Sequence, residues 1–311
     1  MSEFLNNVRE GENGWKGYTV TILLTMFFNS FTAIYYLFFI IGFYFILTNI
    51  AHVQDNFSEG VHYFLTMILS FGISYLFLIL SANAFHKRDF ISLVNVSEKY
   101  NFRGNLLKWY QRIRWNKFFK GMGVWLVYMI ITLFVPCIID PSKFVFNPNL
   151  SQFIILLVLV LITIPIQASF EEVFFRGYLN QGLSLKIKKP IKVIIISSII
   201  FGLGHIINGG FVLESMILNT LSAFLFGIIC SLTTLLYGGV EFSSGAHIIN
   251  NILAFTMIGY ADSPDNFGSL IIQTSPLNYN FELIWAIVPT IIFLILLINY
   301  KWNEIKLVLK G

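Results

Sequence analysis

Apolar residues run along this chain in long stretches, separated by short polar breaks. Crossing a bilayer takes about 20 apolar residues. Eight stretches approach that length: about 18–49, 61–84, 119–139, 151–175, 191–208, 212–236, 243–258 and 282–300. The first is too long for one straight crossing. Asn29 and Ser30 divide it, so 18–28 reads as an interfacial lead-in to one span over 31–49. The pattern predicts an all-α, polytopic membrane protein with about eight transmembrane helices. It also suggests two parts. Residues 1–118 hold two spans and a polar connector over about 86–118. Residues 119–311 hold six spans.

Composition agrees with this reading. The chain is 56% hydrophobic and 12% charged, whereas soluble domains carry about 25% charge. No segment between spans reaches roughly 50 residues, the lower size of a soluble domain. Cys137 and Cys230 stand alone in apolar runs, so neither a disulfide framework nor a CxxC metal site is expected. The first 16 residues mix both charges, and the apolar run after them exceeds the roughly 7–15 residues of a signal peptide core. No cleaved leader is expected. The chain shows no internal repeat and no phosphate-binding glycine loop.

Charge placement sets the expected orientation, because cytoplasmic loops collect Lys and Arg. One group is Arg9 and Lys16. A second is the connector and the start of the third span, with Lys87, Arg88, Lys99, Arg103, Lys108, Arg112, Arg114, Lys117 and Lys120. A third is Arg176, Lys186, Lys188, Lys189 and Lys192, and the last is Lys301, Lys306 and Lys310. In an eight-span arrangement all four groups share one side. Of the 20 basic residues only Lys143 falls opposite, among Asp55, Glu59, Asp140, Asp262 and Asp265. Both termini are expected in the cytoplasm. The connector's Trp109, Tyr110, Trp115, Phe118 and Phe119 read as an interfacial belt over anionic lipid. Membrane lipid is thus an expected partner and nucleic acid is not.

Three polar clusters interrupt the later spans: Glu171-Glu172-Val-Phe-Phe-Arg176, Phe201-Gly-Leu-Gly-His205 and His247-Ile-Ile-Asn-Asn251. Ionisable groups at membrane depth are costly, so they mark functional cavities. The fourth and fifth spans form a helical hairpin that turns near 186–190. Glu171 lies 17 residues before position 188 and His205 lies 17 after it. At about 1.5 Å per residue both sit roughly 25 Å from the turn, so they are expected to face each other and share a water. Glu172 and Arg176 form an i,i+4 pair that can keep the carboxylate ionised. Pro165 frees a backbone carbonyl nearby. His247 and Asn251 share one helix face, and their N–H groups can form an oxyanion hole. His247 lies only about 12 Å from the turn at Gly238-Gly239, shallower than Glu171. A tilted helix or a re-entrant 237–246 segment would reconcile the two depths.

Structural roles compete for several of these residues. Asn250 and Asn251 can serve as interhelical glue. Glu214 and Glu241 read as interfacial, near span ends. His52, His62 and His86 lie at predicted span edges and need no role. Gly202 and Gly204 read as packing residues.

The ordered set EExxxR, FxxxH and HxxxN on late spans resembles the CAAX-protease and bacteriocin-processing family, which includes the Ras-converting CAAX endopeptidases. Phe224-Leu-Phe-Gly227 and Leu236-Tyr-Gly-Gly239 are similar to the small and aromatic residues that precede the family's third motif. The resemblance covers about 150–258. It implies an intramembrane endopeptidase in which Glu171 and His205 activate a water, His247 and Asn251 stabilise the oxyanion, and Glu172 and Arg176 organise the site. It implies no required cofactor; Glu171, His205 and His247 are the alternative ligands for a zinc ion. The expected substrate is a peptide or lipidated peptide: a leader, a signalling peptide or a CAAX-like tail. A bacteriocin-immunity or scaffold protein of the same fold is the alternative, and a small-molecule transporter the third. Abundant Ile, Asn, Lys and Phe suggest a low-GC bacterium, hence a bacterial plasma membrane.

Overall fold

The computed structural model describes residues 3–27, 56–96, 110–147, 149–208, 210–260 and 267–310, with side chains of the second segment described from Gly60. Within these residues the chain is a helical bundle. A first helix, α1, covers residues 15–27. It is followed by α2 (Asn56–His86), α3 (Trp115–Ile139) and α4 (Leu150–Glu172). Helix α4 runs through Pro165 and continues into a π-helical segment, Val173–Leu179, and a last α-turn, Asn180–Ser184. Then come α5 (Pro190–Gly204), α6 (Leu213–Tyr237), α7 (Glu241–Thr256), α8 (Tyr279–Tyr300) and α9 (Trp302–Lys310).

Five helical rods among the described residues are long and apolar enough to cross a membrane: Gly60–His86, Trp115–Ile139, Leu150–Ser184, Leu213–Tyr237 and Tyr279–Tyr300. The expected count of eight is therefore not reached there. Most of the first expected span, with Asn29 and Ser30, lies outside the described residues, as do connector residues 97–109 and Asp262 and Asp265. The fifth expected span is α5, a shorter apolar helix of 15 residues. The seventh is α7, with 16 residues, and every residue from Glu241 to Ile248 is buried. A polar helix can stand at this depth because other helices shield it from lipid. Outward apolar residues such as Ile130, Ile131, Leu161 and Ile292 are exposed on the long helices, as lipid-facing positions require.

Helix α7 is the centre of the packing, held between α3, α4 and α6, while α2 lies along α4. Two glycines allow the closest approach. A Cβ at Gly245 would stand 2.1 Å from the Phe118 carbonyl oxygen, and one at Gly121 would stand 2.0 Å from the Phe242 carbonyl oxygen. Small residues admit this backbone-to-backbone contact. Gly202 serves the α5–α6 contact in the same way, 2.8 Å from Thr220 O, whereas a Cβ at Gly204 would meet nothing.

The start of α7 is tied down. Gly238 closes α6 at φ +64°, a left-handed conformation that suits glycine. Glu241, expected at an interface, is instead buried and receives a fork from Arg114: Nε to Oε1 at 2.9 Å and Nη2 to Oε2 at 2.6 Å. Asn95 Nδ2 adds a third donor at 2.5 Å. Two Arg114 nitrogens also cap α6, at Tyr237 O and Gly238 O. Glu214 is exposed, as expected. His86 likewise departs from its expected edge position. It is fully buried, with Nε2 2.7 Å from the Tyr178 hydroxyl and Nδ1 2.9 Å from Glu12 O.

The two ends of the bundle differ. At one end a single apolar cluster joins Phe4, Leu5, Val94, Tyr178, Val240 and Ile305. The N-terminal segment, the α4–α5 turn, the α6–α7 turn and the C-terminal helix therefore meet there. The Ser184 hydroxyl donates to Leu5 O at 3.4 Å, and Asn7 Nδ2 donates to Ser92 O and Asn95 O. Each of the four basic groups has members at this end. At the other end lies a small sheet that the sequence did not foreshadow: β1 (Phe144–Phe146), β2 (Ile258–Tyr260) and β3 (Ile271–Gln273), in the order β1-β3-β2. Strand β3 pairs antiparallel with β1 and parallel with β2. Lys143 stands beside β1 and donates to Pro276 O at 2.6 Å.

The convergence of basic segments gives a direct topological test. Single cysteines replacing exposed Glu3 and Lys310, in a background without Cys137 and Cys230, should react with an impermeant maleimide only after the cells are permeabilised. Labelling of either position in intact cells contradicts a cytoplasmic basic end.

Candidate active site

Five of the six expected site residues come from only two helices. Glu171 and Glu172 end the α-helical part of α4, Arg176 lies in the π-helical segment, and His247 and Asn251 lie on α7. A π-helix bonds i→i+5, and such segments are rare and frequently found at functional sites. Here it follows the paired carboxylates directly.

Glu172 has no exposure at all. Its Oε1 accepts a hydrogen bond from His247 Nδ1 at 2.8 Å and lies 3.0 Å from Arg176 Nη1. The Arg176 contact is a charge contact rather than an aligned hydrogen bond. Arg176 is itself buried, with Cζ 4.2 Å above the centroid of the Phe201 ring. A carboxylate only accepts, so Nδ1 of His247 carries the proton in that bond. The bond orients the ring so that Nε2 lies 3.7 Å from Glu171 Oε2. That exceeds a direct hydrogen bond. The depth expected to separate His247 from Glu171 does not separate them. Helix α7 begins already buried, at Glu241, and reaches the carboxylates within two turns.

Glu171 is held from its other oxygen. Gln167 Nε2 donates to Glu171 Oε1 at 2.7 Å, while Oε2 is buried and makes no hydrogen bond. Asn251 Nδ2 donates to Gln167 Oε1 at 2.9 Å. Asn250 Nδ2 donates to Asn251 Oδ1 at 2.9 Å, and Trp125 Nε1 donates to Asn250 Oδ1 at 2.9 Å. Asn251 thus keeps one amide hydrogen free. Gln167 and Trp125 were missed in the sequence. Gln167 left a trace: it precedes Glu171 by four residues and so shares its helix face. Trp125 left none.

His205 reaches this region by a different route. It caps the end of α5, and its Nδ1 lies 2.8 Å from its own Phe201 carbonyl. A carbonyl cannot donate, so Nδ1 carries the proton and Nε2 is left as the acceptor. The Phe201 ring contacts both imidazoles, with centroids 4.4 Å from His205 and 6.1 Å from His247. The imidazole nearest Glu171 among the described contacts is that of His247. The α4–α5 turn falls at 185–189, as the hairpin reading expects, but α5 packs along α6 and touches α4 mainly through its π-helical segment and last turn.

In the alternative zinc set, Glu171, His205 and His247, Nδ1 of each imidazole is bonded, to Phe201 O and to Glu172, and Nε2 of each is left over, as in a metal-ligating imidazole. Among the described residues no three His, Cys, Asp or Glu side chains are grouped as a metal requires.

The described residues thus form a helical bundle that brings paired carboxylates, an imidazole and buried amides together between long apolar helices. Residues 150–253 match the family described as type II CAAX prenyl endopeptidase Rce1-like, about a third of the chain. On that segment the chain is similar to the CAAX-protease and bacteriocin-processing family, which is where the three motifs lie. It is also similar to the uncharacterized protein YyaK of Bacillus subtilis (strain 168), 32% identical over 146 residues. That alignment covers 45% of this chain and 47% of the relative, so the chain spans about half the length of the relative it matches. No solved structure is matched.

The geometry separates two kinds of substitution. Glu172→Ala strands Arg176 as an unpaired buried cation and should destabilise the fold by about 3–5 kcal/mol. Glu171→Gln leaves Glu172 beside Arg176 and should unfold at nearly the wild-type temperature. Thermal unfolding in detergent distinguishes them, and equal midpoints contradict the division of labour.

Proposed function

We propose that the protein is an intramembrane endopeptidase that hydrolyses a peptide bond of a leader, signalling or CAAX-like C-terminal peptide at the basic, cytoplasmic end of the bundle. One observation carries this reading. Glu171 Oε2 is a buried carboxylate oxygen without a hydrogen bond, aimed at an imidazole 3.7 Å away. A carboxylate so placed is a general base in search of a proton.

In the proposed reaction Glu171 takes a proton from a water, and the resulting hydroxide attacks the carbonyl carbon. His205 Nε2, left as an acceptor, orients that water. The oxyanion is met by an amide hydrogen of Asn251 and by His247, whose ring is held by Glu172 at Nδ1 and which donates from Nε2 when that nitrogen also carries a proton. Collapse of the tetrahedral intermediate breaks the C–N bond, and Glu171 returns its proton to the leaving amine. Arg176 keeps Glu172 ionised. No step requires a metal ion, so a chelator is expected to leave the rate unchanged.

The test is cleavage of a panel of prenylated CAAX-type and unprenylated peptides by the purified protein. Glu171→Ala and His205→Ala should each lower kcat/KM by at least about 10²-fold, the scale of general acid–base catalysis. Asn251→Ala should lower it by about 10²–10³-fold, as for the loss of an oxyanion donor. Full cleavage by folded Glu171→Ala contradicts Glu171 as the base, whereas a folded Glu171→Ala that keeps the full cellular phenotype contradicts the peptidase reading and favours an immunity or scaffold role.

A further inference from the structure

The amides around Glu171 form one directed line of hydrogen bonds across three helices. It starts at the indole of Trp125 on α3, passes through Asn250 and Asn251 on α7 and Gln167 on α4, and ends on Glu171 Oε1. Its direction is set at the first atom. An indole N–H can only donate. Asn250 therefore presents its oxygen to Trp125 and its NH₂ to Asn251. Asn251 presents its oxygen to Asn250 and its NH₂ to Gln167. Gln167 in turn presents its oxygen to Asn251 and its NH₂ to Glu171. Every amide along the line has one permitted orientation, and reversing any one of them would set oxygen against oxygen or NH₂ against NH₂.

We infer that Trp125, Asn250 and Gln167 are positioning residues that orient the Glu171 carboxylate and the Asn251 amide together. This deepens the peptidase reading and rests on it. Gln167 is the joint, touching the base with one end and the oxyanion donor with the other. With Oε1 of Glu171 engaged by Gln167, the unbonded Oε2 is the oxygen turned toward His247. With the oxygen of Asn251 occupied by Asn250, its NH₂ is the end directed at the site. Trp125 is anchored independently: it is buried, and its ring packs against Tyr128, Phe226 and Phe293 at centroid distances of 4.5, 5.1 and 5.1 Å. A rigid donor 42 residues away in sequence from Gln167 thereby sets the rotamer of a base it does not touch.

The first arm of the test needs no substrate. In protein labelled with ¹⁵N at the tryptophan indoles, the Trp125 resonance is identified by its loss in Trp125→Phe. Gln167→Met and Asn250→Asp, the latter keeping the acceptor for Trp125 but losing the donor to Asn251, should both move that resonance. The Trp285 indole, bonded to Thr132 O about two turns along α3 from Trp125, should stay in place. A Trp125 resonance unmoved by both variants overturns the inference. The second arm uses a farnesylated CAAX-type peptide, or the unprenylated peptide if that is the one cut. Trp125→Phe keeps the ring and removes the N–H. It should lower kcat about fivefold, the worth of one neutral hydrogen bond, with KM within about twofold and the unfolding temperature preserved. Trp285→Phe should leave kcat unchanged. Folded Trp125→Phe with wild-type kcat, alongside inactive Glu171→Ala, overturns the positioning role alone. Active Glu171→Ala overturns Glu171 as the base, no cleavage by the folded wild type overturns the peptidase reading, and in either case the resonance arm decides whether the line exists.

Discussion

A carboxylate shut away from water must be neutralised where it stands, and Glu172 is met from two sides. Arg176 lies 3.0 Å from its Oε1, and His247 donates to the same oxygen at 2.8 Å. Taking such ions out of water costs several kcal/mol each, and their attraction offsets this only when the geometry is good. The cluster is therefore a poor source of net stability and a strong source of geometry. It locks α4 to α7 at one level, fixes the rotation of the His247 ring, and so turns the ring's other nitrogen toward Oε2 of the adjacent Glu171. Two neighbouring residues of one type thus acquire different tasks from their surroundings.

The remaining architecture serves to bring α7 into contact with that cluster. Gly121 and Gly245 remove the side chains that would hold α3 and α7 apart. Arg114 and Asn95 hold Glu241 at the helix start, below the basic surface. The polar face of α7 can then be lined up with α4 while the long apolar helices meet lipid. The directed line from Trp125 adds rigidity where reaction geometry demands it, since misplacement of a base by even about 1 Å can cost 10²-fold in rate.

Much of this could be read from the sequence, for definite reasons. Uninterrupted apolar runs mark helices without any tertiary knowledge, and the N-terminal and C-terminal segments do meet the Val94 and Tyr178 segments in one apolar cluster. Glu172 and Arg176 were legible because four residues on a helix bring side chains together. What was not legible involves partners far apart in sequence. Glu241 resembled an interfacial residue because nothing nearby announces Arg114. His86 resembled an edge residue because its partners, Tyr178 and Glu12, lie 92 and 74 residues away. The level pairing of Glu171 with His205 assumed two regular helices packed along their length. The helix of Glu171 instead continues as a π-helical segment and α5 packs on α6, and a third helix, α7, brings His247 beside Glu171. Trp125 looked like any other aromatic residue of an apolar span.

The central claim is that a carboxylate in this buried site activates water for direct attack on a peptide bond. Isotope transfer in a single turnover tests it without reliance on any substitution. With enzyme in excess over peptide in ¹⁸O-labelled water, the new C-terminal carboxylate of the cleaved fragment should carry one ¹⁸O atom, and an added amine should capture no fragment. Fragment captured by the amine, or released without ¹⁸O, would show a covalent acyl intermediate or another chemistry and contradict the account.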